Sequence, residues 1–144
     1  MSPDQSYAFL EQRDVRPTPA RILIVRTLEG ADGLMTALQI EEHLGTVDRS
    51  SISRTLALFV RKGIVHAVDD GTGSVKYELC HGSHAHGTPH PDTDAHPHFH
   101  CIVCGNTTCL EGTALPQVSL PDSYHPLSAN YVIHGICPNC VKLS

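Results

Sequence analysis

A chain of 144 residues with 5% aromatics and no Trp has room for one ordinary domain or two small ones, neither resting on a large aromatic core, so metal is the expected extra support. There is no run of about 18 apolar residues, and residues 1–12 lack a basic segment followed by an apolar one; no membrane span or secretion signal is expected, and the protein is predicted to be cytoplasmic. The net charge of -5 argues against bulk electrostatic capture of nucleic acid, but nine of the ten Lys and Arg precede residue 80 and nine of the eleven His follow it, which predicts two chemically different modules.

Ser2 and Pro3 make an N-cap and first-turn pair for a short helix ending near Gln12, with Tyr7, Leu10 and Phe9 on its apolar face. Thr18 and Pro19 repeat the signal and open a second helix that Gly30 closes. Thr36 caps a third, in which Ala37, Ile40 and Leu44 keep helical spacing and Gly45 ends the run. A fourth starts around residues 48–50, runs through Ile52, Leu56, Phe59 and Val60, and stops at Gly63. There the period changes to two: Val65, Ala67 and Asp69 alternate with their neighbours, residues 70–73 turn the chain, and Val75, Tyr77 and Leu79 alternate again. Helix, turn, helix and hairpin in that order predict a winged helix-turn-helix with residues 50–62 as the recognition helix; a helical bundle capped by a hairpin is the alternative.

Residues 80–100 are rich in His, Gly and Pro and read as an interdomain linker. Beyond it, runs at 98–103, 107–110 and 131–136 predict a small sheet, while residues 116–126 are too Pro-punctuated for a long helix. The fold class is therefore α+β: a DNA-binding winged helix at 1–79, a hinge loop at 80–95, and a small C-terminal α/β metal-binding domain at 96–144 with a four-cysteine zinc site, the domain to which the resemblance described below assigns dimerisation.

Cys101-x-x-Cys104 and Cys137-x-x-Cys140 are the strongest signal in the chain. Two intervening residues let one knuckle place both sulfurs on a single ion, and two knuckles complete the tetrahedral shell of structural zinc, leaving no position for a substrate. Disulfides or a redox dithiol are the competing reading, disfavoured by the cytoplasmic expectation and the doubled pair. Cys80 ends the second hairpin strand and His66 lies near the start of the first, so an antiparallel hairpin brings them to one end. His96, His98 and His100 alternate on an extended segment, Cys109 falls on the next strand, and Glu78 adds an oxygen donor nearby. A His and Cys set suits zinc over iron or manganese, since thiolate favours softer or borderline metals. Which three or four of these share one ion stays open at this level, and an adventitious His-rich loop is the bland alternative.

These residues resemble the ferric uptake regulator family over nearly the whole chain. Residues 16–21 (RPTPAR) resemble its R-x-T-P-x-R helix opening, residues 50–56 (SSISRTL) its recognition-helix motif, residues 76–79 (KYEL) the end of its wing, and residues 96–105 (HPHFHCIVCG) its H-x-H-x-x-C-x-x-C-G signature. The resemblance, with its zinc-responsive branch in view, implies a homodimer whose winged helices bind a palindromic, AT-rich double-stranded operator. It implies Arg16, Arg21, Arg49, Ser50, Ser51, Ser53, Arg54 and Lys76 as DNA contacts, Arg54 reading a purine. It likewise implies Cys101, Cys104, Cys137 and Cys140 as structural zinc ligands, and His66, Cys80, His96, His98 and Cys109 as regulatory zinc ligands. Departures from the family pattern are Leu34 in place of a His before the third helix, Pro97 and Ala129 at positions of a further regulatory site, Ser53 in place of a Tyr, and prolines at 116 and 121 in the dimerisation helix. The functional expectation is a zinc-responsive repressor of zinc-uptake genes, with iron, peroxide or nickel sensing as the variant reading and a zinc buffer or chaperone as the rival. No enzyme is expected: the H-x-E of zinc deaminases, G-x-S-x-G and the P-loop are all missing.

Overall fold

The computed structural model describes residues 1–80, 97–110, 112–127 and 129–142. The chain divides into two compact units, Met1–Pro89 and His90–Ser144.

The first unit holds α1 (Pro3–Gln12), α2 (Pro19–Glu29), α3 (Ala37–Leu44) and α4 (Arg49–Arg61), then β1 (Val65–Asp69) and β2 (Val75–Leu79). Each helix starts where a side chain satisfies its orphan N–H groups. Ser2 and Thr36 form reciprocal capping boxes with Gln5 and Gln39, Thr18 accepts from the Arg21 N–H, and Asp48 from that of Ser51. Gly45 ends α3 at φ 70°, a left-handed conformation that a side chain would strain. Leu10, Ile24, Val25, Ile40, Ile52, Leu56, Phe59, Ile64, Val65 and Leu79 make one core from all four helices and the hairpin. Tyr7 was expected on that core, yet it is exposed. Ser6 takes the buried position one turn before Leu10, and its hydroxyl donates to the Ser2 carbonyl at 3.0 Å, so the polar atom is satisfied locally.

The hairpin also departs from simple alternation. β1 and β2 pair antiparallel with Val65 opposite Leu79 and Val68 opposite Lys76, and these two pairs, on opposite faces, are the buried ones, whereas Ala67 and Val75 are exposed. The reason is an ion pair: Lys76 Nζ lies 2.6 Å from Asp70 Oδ2, both side chains buried, and Asp70 Oδ1 also accepts from the N–H and hydroxyl of Thr72. Removing one partner leaves an uncompensated buried charge. Asp70→Ala is expected to cost about 3–5 kcal/mol in chemical denaturation, and the double change Asp70→Leu with Lys76→Met to recover most of it; equal stability of Asp70→Ala and wild type sinks that account.

The second unit holds β3 (His98–Cys101), β4 (Thr107–Cys109), β5 (Val132–Gly135) and α5 (Pro138–Lys142). The sheet order is β4-β3-β5, with β3 antiparallel to β4 and parallel to β5. Between β4 and β5 the described residues carry no helix or strand, in keeping with the prolines at 116, 121 and 126. The short α5 was not foreseen; it begins at Pro138, inside the second cysteine pair. The described residues of this unit form little apolar interior. Among its described residues the buried ones are Pro97, His98, His100, Cys101, Thr107 and Cys140, while Ile102, Val103, Val118, Tyr124 and Leu127 are exposed. No helix among the described residues is long and apolar enough to cross a membrane.

Candidate metal centres and recognition surface

The four cysteines of the two C-x-x-C pairs converge: their Sγ atoms all lie within 4.8 Å of one another. A Zn–S bond of about 2.3 Å sets the sulfurs of a tetrahedral shell roughly 3.8 Å apart, and Cys104 Sγ lies 3.9 Å from Cys137 Sγ. The donor set is one that can close on a four-coordinate metal. Local chain geometry explains the convergence. β3 ends in Cys101, whose N–H donates to Asn106 and whose carbonyl accepts from Gly105, the latter at φ 78° so that the knuckle can fold back. The parallel pairing of Cys101 with Gly135 brings the second knuckle alongside, and Ile102 N–H donates to the Gly135 carbonyl at 2.8 Å. Gly135 is needed for a second reason: a Cβ there would sit 2.9 Å from Phe99 Cζ. The sequence carries no separate signal for that contact.

The backbone prepares one sulfur for metal. The N–H groups of Cys104 and Cys137 donate to Cys101 Sγ at 3.5 and 3.4 Å and bring its pKa down to about 6 against the opposition of burial. These two hydrogen bonds favour the thiolate form of Cys101, the form that binds metal. Cys140 is pushed up to about 12, first by its hydrogen bond with the Cys137 side chain and then by burial, so an entering cation must displace its proton.

A second set of donors is split between the units. In the first, His66 Nε2 and Cys80 Sγ are 2.9 Å apart. They share a face because side chains alternate along β2, and the Cys80 N–H to Ile64 carbonyl bond extends the ladder one step past Leu79. Arg13, absent from the sequence reading, is a neighbour of this pair: burial lowers its pKa and Cys80 opposes that shift. In the second unit, His98 and Cys109 are direct register partners across β3 and β4. His100, on the same face of β3, has its Nδ1 2.8 Å from Thr107 Oγ1 and its ring edge-on to His134. His96 and the other histidines of residues 81–96 lie outside the described residues.

The residues expected at DNA fall mainly on one helix. Arg49, Ser50, Ser53 and Arg54 are on the exposed face of α4, and Ser51 is half-buried. Arg49 Nε is 3.7 Å from Glu41 Oε1. Arg21 is half-buried and donates to the carbonyl of exposed Arg16 at 2.9 Å. A shallow cleft lined by Thr18, Arg21, Ser51, Arg54 and Arg61 joins the start of α2 to α4, adding Arg61, which the sequence reading had not singled out. Lys76 stands apart, buried in its pair with Asp70.

No protein-family model matches the chain. Individual proteins do. The ferric uptake regulation protein of Synechococcus elongatus is 28% identical over 145 residues, covering 94% of this chain and 92% of the other. The zinc uptake regulation protein of Escherichia coli is 29% identical over 154 residues, covering 96% and 81%. A solved zinc uptake regulator complexed with zinc and DNA superposes with a TM-score of 0.61 at 25% identity, covering 98% of this chain and 93% of that one. Over nearly its whole length the chain is similar to ferric and zinc uptake regulators. At the three positions where the sequence departs from the family pattern for metal ligands, Leu34 is buried, Pro97 fully so and Ala129 exposed, and none of these side chains carries a donor atom.

Proposed function

We infer that the protein is a zinc-responsive, DNA-binding transcriptional repressor of zinc-uptake genes, acting as a cytoplasmic homodimer on a palindromic, AT-rich operator. The observation that carries the reading is an imidazole and a thiol 2.9 Å apart in the same unit as a recognition helix with exposed Arg and Ser. Sulfur beside imidazole selects a borderline metal over the oxygen-rich shells of manganese or magnesium. Cys101, Cys104, Cys137 and Cys140 hold a structural zinc. A second, regulatory zinc draws on His66, Cys80, His96, His98 and Cys109, with Glu78 and His100 as the remaining candidates. An ion with donors on both sides of the hinge at residues 80–95 ties its occupancy to the conformation that presents α4 to DNA. Arg16, Arg21, Arg49, Ser50, Ser51, Ser53 and Arg54 serve the DNA contact; Lys76 serves it indirectly, by holding the wing. The exposed apolar side chains of the second unit, Leu127 at 91% and Val118 at 77% among them, supply material for a dimer interface.

Iron sensing is the second reading, favoured by the name of the Synechococcus relative. Metal-loaded full-length chain, its metal counted by mass spectrometry, separates the two. Zinc is expected at two ions per chain, with binding of promoter duplexes in fluorescence anisotropy lost on mild chelation. Cys80→Ser is expected to keep one zinc and its fold while losing the response. Normal zinc-dependent binding by Cys80→Ser, or restoration of binding by ferrous iron alone, overturns the assignment.

A further inference from the structure

The start of α4 carries a hydrogen-bonded chain that the motif does not require. Asp48, the N-cap, uses both carboxylate oxygens on Ser51: Oδ2 accepts from the Ser51 N–H at 3.2 Å and Oδ1 from the Ser51 hydroxyl at 2.6 Å. The second contact is short enough to be charge-assisted. A serine hydroxyl has one proton to give, and here it points at Asp48, so the lone pairs of Oγ are left for another donor. That donor is Arg54 Nη2 at 3.4 Å, one helical turn further on. The polarity of the chain is consistent from end to end: carboxylate, hydroxyl, guanidinium. The carboxyl of Asp48 is held below its ordinary value by the Ser51 hydroxyl first and the Ser51 N–H second, with a smaller contribution from Arg54.

We propose that Asp48 and Ser51 are positioning residues that fix the Arg54 guanidinium for readout of a single base pair, and thereby set the sequence specificity of the recognition helix. The proposal rests on the DNA-binding reading above. Arg54 is exposed, and a free arginine there would sample many rotamers and reach phosphates as readily as bases. Its neighbour Ser53 is short and exposed. The chain through Ser51 supplies that restraint. A helix N-terminus ordinarily attracts phosphate, but at α4 the carboxylate already occupies the Ser51 N–H and repels a second anion. Asp48 therefore weakens grip on any duplex while sharpening the choice among duplexes, two effects of opposite sign.

That opposition gives the test. Zinc-loaded full-length protein is put through selection from a randomised duplex pool, and affinities are then measured on the selected duplex, on each of its single base-pair variants, and on unselected duplex. Asp48→Asn keeps an N-cap acceptor, so the fold is retained, as circular dichroism and melting will report. It is expected to cut discrimination at one base pair of each half-site by about tenfold while binding unselected duplex several-fold more tightly. Ser51→Ala is expected to lose the same discrimination and Ser51→Thr, which keeps the hydroxyl, to retain it. In an Arg54→Ala background, Asp48→Asn is expected to leave the base profile unchanged, since the coupled partner is gone. A folded Asp48→Asn with wild-type discrimination at every position overturns the proposal alone. Failure of the wild-type chain to enrich any duplex overturns the DNA-binding reading and the proposal with it.

Discussion

Cys137→Ser is expected to strip the metal from the C-terminal unit and unfold it while the N-terminal unit keeps its helices. The magnitude follows from how little else among the described residues holds that unit: those buried there are histidines, Thr107, Pro97 and cysteines, and the hydrophobic cluster of the described residues lies wholly in the first unit. Structural zinc in small domains supplies roughly 10–16 kcal/mol of apparent binding free energy at neutral pH, as much as or more than the whole stability of an ordinary domain. Native mass spectrometry is expected to show both ions lost, since His98 and Cys109 of the proposed regulatory set lie in the unit that unfolds, and hydrogen exchange to show loss of protection across residues 98–109 and 132–142. Protection at wild-type levels in a metal-free Cys137→Ser protein would show that the sheet stands without its metal. Strong chelation of the wild type is expected to reproduce the variant, and lowering the pH is expected to act the same way, because each thiolate that takes a proton is lost to the ion.

The second large effect concerns DNA. Arg54→Ala is expected to leave the fold intact, since the side chain is exposed and outside the core. It should cost about 1–3 kcal/mol of discrimination per half-site, and in a two-fold symmetric dimer both half-sites lose it together. Arg49→Ala, by contrast, removes a charge already shared with Glu41. Its expected signature is uniform weakening on all duplexes with a shallower salt dependence, the mark of a phosphate contact. Quantitative selection on both variants checks the contrast, and a uniform loss for Arg54→Ala would remove it from base readout.

Much of the molecule was written in local signals. The helix starts at Ser2, Thr18, Thr36 and Asp48 were legible because capping is a matter of a few adjacent residues. The sheet strands around the first knuckle and the convergence of the four cysteines were legible because a C-x-x-C spacing already commits two sulfurs to one centre. Where burial was inferred from periodicity alone, the reading slipped. Tyr7 and Val75 are apolar or aromatic in the right places and are exposed, while Ser6 and Lys76 are polar and buried. Each buried polar group is matched to a partner that pattern cannot name, Ser6 to a backbone carbonyl and Lys76 to Asp70.

By itself, the sequence determined the α+β class, the order of the first-half elements and of the second-half strands, the likeness to ferric and zinc uptake regulators and the four-thiolate centre, because caps, turns and ligand spacing act over a few residues. Only tertiary structure decided the parallel seating of β5 beside β3, the need for Gly135 under the Phe99 ring, the pairing of Lys76 with Asp70, and the run of contacts from Asp48 to Arg54. The first three join residues whose proximity is fixed by folding rather than by neighbouring positions. The last lies within two turns of a single helix, yet it depends on which way a single hydroxyl proton points, and that choice is made by side-chain geometry.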